Sequence, residues 1–125
     1  MFNNISNIDV ECISENGTFP QANRDGDKVT QIGIIFSDKD ECRQHIIKLG
    51  RCDPIPNVTI ENYNTEQEVL LAWYRLQTSN FDILTNNAHD FGLEYIKDRS
   101  KKLGICVLWF FKKIIVLFNI KAGYI

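Results

Sequence analysis

Two stretches of the chain decide its fold: residues 5–13, which read ISNIDVECI, and residues 29–36, which read VTQIGIIF. The first stretch alternates apolar residues with polar and acidic ones, a pattern typical of a short strand. The second is β-branched and apolar along most of its length, which predicts a buried central strand. The loop between them, residues 14–27, is rich in Gly, Pro, Asn and Asp, so we expect the two strands to form a hairpin.

Extended segments continue beyond this hairpin. We expect a third strand at residues 45–49 and a fourth at residues 58–63. Residues 50–57 contain two prolines, which cannot donate to a sheet ladder, so this segment is predicted to be irregular.

A helix is predicted to begin at Thr65, because Thr65 and Glu68 have the spacing of a capping box. The residues that follow give this helix a single apolar face: Val69, Leu70, Trp73 and Leu76. We expect three further elements: a short strand at residues 81–85, a polar turn at residues 86–90 and an amphipathic helix at residues 91–103 that Gly104 ends. Strands followed by alternating helices and strands indicate an α/β or α+β fold.

Composition limits the functions that the chain can have. Its 125 residues suit one domain, and its formal net charge of −2 gives no general attraction to nucleic acid. The four cysteines form no CxxC pair, so we expect reduced thiols and no zinc site. The first residues show neither the basic nor the apolar segment of a leader peptide, so we expect an intracellular protein that is not secreted.

The last part of the chain is strongly apolar. Residues 105–120 contain two charged residues, Lys112 and Lys113. A transmembrane helix needs about 20 apolar residues, so this stretch is too short to cross a bilayer, and we expect no membrane partner. A buried pair of strands that turns near the two lysines is the predicted structure.

Asp9 and Glu11 are the first candidates for chemistry. They are separated by one residue, so on a strand both carboxylates point to the same face and can share a divalent cation. The pair alone is a weak signal, because this spacing on a strand more often marks a solvated edge than a metal site.

The residues around this pair closely resemble the first exonuclease motif of B-family DNA polymerases. In that family the motif runs from Asp-x-Glu-Cys through Gly-x-Phe-Pro to Asp-x-Val-x-Gln-Ile, and the three elements appear here in order at residues 9–12, 17–20 and 27–32. Polymerases of large DNA viruses and of eukaryotic replication carry similar segments. The resemblance covers residues 5–105 and continues through LGRCDPIP (49–56), Tyr63, TE (65–66), Glu68, LLAW (70–73), DILT (82–85), Tyr95, DR (98–99) and KLGI (102–105).

This resemblance implies a truncated ribonuclease-H-like exonuclease fold, an α/β fold with a mixed sheet and flanking helices. It implies that Asp9 and Glu11 ligate two divalent ions, Mg²⁺ or Mn²⁺, that activate water and clamp the scissile phosphate in 3′→5′ proofreading. Carboxylates are the hard oxygen ligands that both metals prefer. The implied partner is the 3′ end of single-stranded DNA, and the implied setting is a replication site in the nucleus or cytoplasm.

At the second exonuclease motif this chain departs from the family pattern. The family has Gly-Tyr-Asn and, three residues on, Phe-Asp, whereas this chain reads NNAHDFG from Asn86 onward. If Asn87 and Phe91 match the DNA-contacting positions of the family, its metal-supporting Asp is replaced by Gly92. If Asn86 is matched instead, Asp90 and Phe91 stand in swapped order. Asp90 is therefore a candidate catalytic carboxylate, although capping the next helix is its commoner role.

Other aromatic and basic residues have structural interpretations. Trp73 and Tyr74 could stack on single-stranded DNA, but we expect Trp73 in the core and Tyr74 at the surface. Arg99, Lys101 and Lys102 are expected to form a small basic patch at a solvated helix end.

The third exonuclease motif of the family is a Tyr followed four residues later by Asp, and residues 106–125 contain no acidic residue. We expect residues 1–105 to be a partial exonuclease domain and residues 106–125 to be an apolar tail that departs from the family. The favoured interpretation is a polymerase fragment that is catalytically impaired alone. One alternative is a non-catalytic interaction or single-stranded-DNA-binding subunit that completes a separately encoded polymerase. The other is an unrelated small α/β domain that resembles the family by chance.

Overall fold

The chain builds a mixed β-sheet with helices packed on one of its faces, as seen in a computed structural model. The structure describes residues 5–37, 42–80, 83–87, 92–106 and 115–119, and these form a six-stranded sheet and two helices. The expected α/β class with flanking helices is confirmed. In chain order the elements are β1 (Ile5–Cys12), β2 (Val29–Ser37), β3 (Cys42–Leu49), β4 (Val58–Tyr63), α1 (Glu66–Asn80), β5 (Ile83–Asn87), α2 (Gly92–Lys102) and β6 (Ile115–Asn119).

The first two strands lie in the middle of the sheet. The strand order is β4-β3-β2-β1-β5-β6. Among these strands β2 alone runs antiparallel to its neighbours, while β1, β5 and β6 are parallel to one another, as are β3 and β4. The predicted hairpin of β1 and β2 is confirmed, with Asp9 opposite Gly33. The predicted third and fourth strands are confirmed as β3 and β4.

The core forms between the sheet and the helices. Alternate residues of β1, Ile8 and Val10 among them, face it and are buried. α1 packs on β2 and β3 with the apolar face that its spacing predicts, and Val69, Leu70 and Trp73 are fully buried. A large aromatic side chain removes about 150–250 Å² from water when it is buried, so Trp73 is a major source of core stability.

Tyr74 departs from the predicted pattern. The expectation that it is exposed is wrong, since Tyr74 is only 1% exposed and its hydroxyl lies 2.8 Å from Ser100 Oγ on α2. α1 contacts the sheet and also α2. A residue outside the stripe that faces the sheet is therefore buried as well, by the second helix.

Two predictions about the second half of the chain, a polar turn and a pair of strands, can be compared with the structure. β5 continues to Asn87, so the polar turn predicted for residues 86–90 begins too early, and residues 88–90 lie outside the described part of the chain. The strand pair predicted for residues 105–120 is only partly tested: β6 is one strand there, and it pairs in parallel with β5. Residues 107–114 lie outside the described part of the chain, so the pairing of two strands within this stretch stays a prediction. No helix within the described ranges has the length and apolar character to span a membrane.

Signals in the sequence mark one end of each helix. At the start of α1, Thr65 Oγ1 accepts the N–H of Glu68 at 3.2 Å, and Glu68 Oε1 accepts the N–H of Thr65 at 3.0 Å. This capping box satisfies N–H groups that have no partner inside the helix. Gly104, just after α2, has a φ of 78°, which glycine adopts without strain.

Replacing Thr65 with Ala is expected to lower the free energy of unfolding by about 1 kcal/mol, because the Glu68 N–H loses its side-chain acceptor. Thr65→Ser keeps the hydroxyl and is expected to remain close to the wild type. Urea unfolding followed by circular dichroism measures both variants. Equal losses in the two would rule out the cap as the source of the effect.

Candidate active site

Asp9 and Glu11 lie on the open face of β1. Residues of this strand alternate between exposed and buried, and both acidic residues are exposed. The prediction that they share one face of a strand is confirmed. Within the described part of the chain, neither carboxylate has a hydrogen-bond or ion-pair partner. Both carboxylates are therefore available to bind a cation.

A shallow cavity of about 180 Å³ lies beside Asp9, and its wall includes Gln31, Gly33 and Gln44 of the neighbouring strands. Gly33 is paired directly opposite Asp9, and the nearest contact of a Cβ atom built on Gly33 is the Asp9 carbonyl oxygen, at 3.8 Å. Glycine leaves this position without a side chain. The Asp9 carboxylate therefore lies next to a notch that a small ligand can enter.

The structure describes the other predicted site residues only in part. Asp90 and Phe91 lie outside the described residues, and of Asn87 only the backbone, at the end of β5, is described. β5 runs parallel to β1, so the carboxyl-terminal ends of both strands lie at the same end of the sheet. Asn87, the last residue of β5, is therefore at the end of the sheet where Glu11 lies.

The described residues offer two hard oxygen ligands but not a complete metal site. Within these ranges, no three His, Cys, Asp or Glu side chains are close enough together to hold a metal ion. Burial raises the pKa of the neighbouring Cys12 thiol to about 12, so this thiol is protonated at neutral pH. A cation held by Asp9 and Glu11 needs water or further groups to complete its coordination.

The loop that follows β1 is held by Asp27. This side chain is fully buried, and its two oxygens accept the N–H of Glu15 at 2.9 Å and the N–H of Gln21 at 2.8 Å. The bond from the Glu15 N–H is the main reason why the pKa of Asp27 lies below its ordinary value; burial opposes it and the Gln21 N–H assists it. The Asp27 carbonyl oxygen accepts the Tyr95 hydroxyl at 2.5 Å, which ties the loop to α2.

Glu66 and Arg99 form a buried ion pair under the same loop. Their side chains are 4% and 1% exposed, and Arg99 Nε donates to Glu66 Oε2 at 2.6 Å. Arg99 Nη2 donates to Glu66 Oε1 at 2.9 Å. The remaining guanidinium hydrogens go to the loop carbonyl oxygens of Ala22, Arg24 and Asp25. All five N–H groups of Arg99 therefore have partners, as a buried arginine requires.

This network corrects the expected basic patch at the end of α2, because Arg99 is buried rather than solvated. The spacing of Arg99 and Glu66 from apolar residues in the sequence already indicated that both are buried. Arg99 lies three residues after the buried Ile96, and Glu66 lies three residues before the buried Val69, so each is on the buried stripe of its helix. Charged residues occupy such positions only when they are paired.

A larger cleft, of about 440 Å³, lies at the start of α1, and Glu66 and Arg99 are among the residues that line it. Its two buried charges neutralise each other, and Lys102 at its rim pairs with Asp25 at 2.9 Å. We therefore place the candidate site at the smaller cavity, where the carboxylate of Asp9 has no partner among the described residues.

Asp27→Asn is expected to change how stability depends on pH. The pKa of Asp27 in the folded chain is below its ordinary value of 3.8, so the carboxylate stabilises the fold above that pH, and this contribution is lost as the pH falls through the folded-state pKa. The stability difference between wild type and variant should be fully present above about pH 5 and should shrink below about pH 4. Urea unfolding across this pH series measures it, and a constant difference would show that Asp27 does not act in this way.

Comparison with known proteins places the chain among polymerases. Residues 2–122 match the family model described as DNA polymerase family B, exonuclease domain. The chain is 36% identical over 101 residues to the DNA polymerase catalytic subunit of human herpesvirus 6A (strain Uganda-1102). It is 34% identical over 104 residues to the DNA polymerase of Acanthamoeba polyphaga mimivirus, and 34% identical over 106 residues to the DNA polymerase delta catalytic subunit of Arabidopsis thaliana.

These alignments cover 77%, 79% and 81% of this chain but only 10%, 6% and 10% of the respective relatives. The chain therefore spans a tenth or less of the length of these proteins. The family match extends past residue 105 and includes β6, and the boundary expected at that residue stays a prediction. The resemblance read from the sequence is confirmed: the chain belongs to the exonuclease-domain family of the family B DNA polymerases.

Proposed function

We propose that this chain supplies the first two metal-binding carboxylates of a 3′→5′ exonuclease site in a B-family DNA polymerase. The observation that carries the proposal is the placement of Asp9 and Glu11, both exposed on one face of the central strand β1, with Asp9 beside the notch at Gly33. A structural carboxylate looks different. Asp27 is buried, and both of its oxygens are occupied by backbone N–H groups.

The proposed cofactor is Mg²⁺ or Mn²⁺, since both prefer carboxylate oxygens. When a pair of such ions is bound, it activates water and stabilises the charge that develops on the scissile phosphate. Asp9 and Glu11 are the proposed ligands, and Asp90, three residues beyond the end of β5, is the proposed third catalytic carboxylate. We propose that the fold is ribonuclease-H-like, supported by a mixed sheet whose central first strand carries the ligands.

The proposed substrate is the 3′ end of single-stranded DNA, and the proposed setting is DNA replication inside the cell. Asn87 and Phe91 are proposed to contact the DNA, because β5 ends at the same end of the sheet as Glu11. The remainder of a polymerase is the proposed partner, since the chain spans a tenth or less of its relatives. Alone, the chain is proposed to be catalytically impaired, because within its described residues no third His, Cys, Asp or Glu side chain completes a metal-binding group with these two carboxylates.

A second candidate is a non-catalytic subunit that binds single-stranded DNA or completes a separately encoded polymerase. One observation favours it. Phe19 is 68% exposed on the loop that Asp27 and Arg99 hold in place. An exposed aromatic ring on a fixed loop can stack on a base or insert into a partner without catalysis.

Binding of Mn²⁺ to the purified chain, followed by electron paramagnetic resonance, tests the metal site. Asp9→Asn is expected to weaken binding by about tenfold or more, because it removes one of two exposed carboxylate ligands. Asp98→Asn makes the same chemical change at an exposed position on α2 and is expected to leave the affinity unchanged. Equal affinities in wild type and Asp9→Asn would refute the proposed ligands.

Incubation with a 5′-labelled single-stranded oligonucleotide in Mg²⁺ or Mn²⁺ separates the two candidate functions. If the wild-type chain shortens the oligonucleotide from its 3′ end and Asp9→Asn does not, the exonuclease function is supported. Oligonucleotide and Mn²⁺ binding without shortening favours the non-catalytic subunit. Asp98→Asn serves again as the matched control.

A further inference from the structure

The ladder between β1 and β2 is irregular directly after Glu11. Pairing is regular from Ile5 opposite Ser37 to Glu11 opposite Gln31, but the next pair is Cys12 opposite Val29. Thr30 is skipped, so β2 carries one residue more than β1 at this point, which is a β-bulge. Bulges bend the strand that carries them and redirect neighbouring side chains, and they are frequent next to active sites.

Two hydrogen bonds that involve side chains hold this bulge. The hydroxyl of the skipped Thr30 reaches across to β1 and donates to the carbonyl oxygen of Glu11 at 3.2 Å. The N–H of Val29 donates to Glu66 Oε2 at 2.8 Å, so a side chain of α1 takes up a backbone group at the start of β2. One bond therefore holds the backbone of Glu11 directly, and the other holds the strand on the far side of the bulge.

Glu66 is itself fixed. Its Oε2 accepts Arg99 Nε as well as the Val29 N–H, and its Oε1 accepts Arg99 Nη2. The carboxylate is buried, so it cannot exchange these partners for water without a change in packing. The buried ion pair of the two helices thus sets the position of the first residue of β2, which pairs with the residue that follows Glu11.

We propose that Thr30 and Glu66 are positioning residues that fix the Glu11 carboxylate relative to Asp9, so that the two can share one divalent cation. This inference rests on the proposed metal site. Neither residue touches the metal in this scheme. Thr30 acts through the backbone of Glu11, and Glu66 acts through Val29 and the bulge. Partners of this indirect kind orient metal ligands, and their loss weakens metal binding although every ligand is still present.

Thr30 offers the sharper test, because Thr30→Val removes the hydroxyl and keeps the β-branched shape that suits a strand. We expect Thr30→Val to weaken Mn²⁺ binding by about tenfold, and Thr30→Ser, which restores the hydroxyl, to recover most of the affinity. Thr59→Val, at an exposed position on β4, is the matched control and is expected to bind as the wild type does. Urea unfolding midpoints confirm that each variant is folded.

Glu66→Gln is the second variant, since it keeps an oxygen for the Val29 N–H while it removes the charge that fixes Glu66 against Arg99. We expect weaker Mn²⁺ binding from this variant too, measured only under conditions where its unfolding curve shows a folded baseline. A purely structural role would lower stability and leave the affinity of the folded fraction unchanged.

The outcomes separate the two proposals. If wild type and Asp9→Asn bind Mn²⁺ equally, the metal site is absent, and the proposed function and this inference fall together. If binding depends on Asp9 but Thr30→Val binds as tightly as Thr59→Val, the metal site stands and the positioning role is overturned. If Thr30→Val binds Mn²⁺ weakly and Thr30→Ser recovers the affinity, the metal site and the positioning role are both supported.

Discussion

A buried ion pair between Glu66 and Arg99 lies at the centre of the contacts that hold the two helices, β2 and the loop after β1 together. It joins α1 to α2, and its two members also bind the start of β2 at Val29 and the backbone of the loop after β1. Loss of one member leaves an uncompensated buried charge, which costs about 3–5 kcal/mol. Small domains are stable by only about 5–15 kcal/mol, so this pair largely decides whether the helices, β2 and the loop stay together.

The two faces of the sheet divide the acidic residues into two kinds. Glu66 and Asp27 are buried near the helices, and their oxygens accept N–H groups that hold the backbone. Asp9 and Glu11 are exposed on the face away from the helices, and their carboxylate oxygens have no partner among the described residues. Strand alternation places Asp9 and Glu11 together on the exposed face of β1, because successive residues of a strand point to opposite faces. The carboxylates without protein partners are the ones that remain able to bind a cation.

Most of the fold could be predicted from the sequence, because strand alternation, the Thr65 capping box and the motif around Asp9 are all local patterns. The buried position of Arg99 could not be predicted from α2 alone, since it depends on Glu66, 33 residues away on another helix. The predicted exposure of Tyr74 is wrong for the same reason, because its burial depends on how α2 packs on α1. The bulge at Thr30 also escaped prediction, because it is a property of the pairing between two strands rather than of either one.

Paramagnetic broadening of amide signals by Mn²⁺, measured by NMR on the ¹⁵N-labelled chain, tests the location of the cation site most directly. At low metal concentration the signals of Asp9, Glu11 and Gly33 should broaden first, because Asp9 and Glu11 share the exposed face of β1 and Gly33 is paired opposite Asp9. Signals of β4, at the far edge of the sheet, should stay sharp. Broadening that begins at other exposed acidic residues, such as Asp25 or Glu94, or that spreads evenly over the chain, would contradict a divalent-cation site at Asp9 and Glu11.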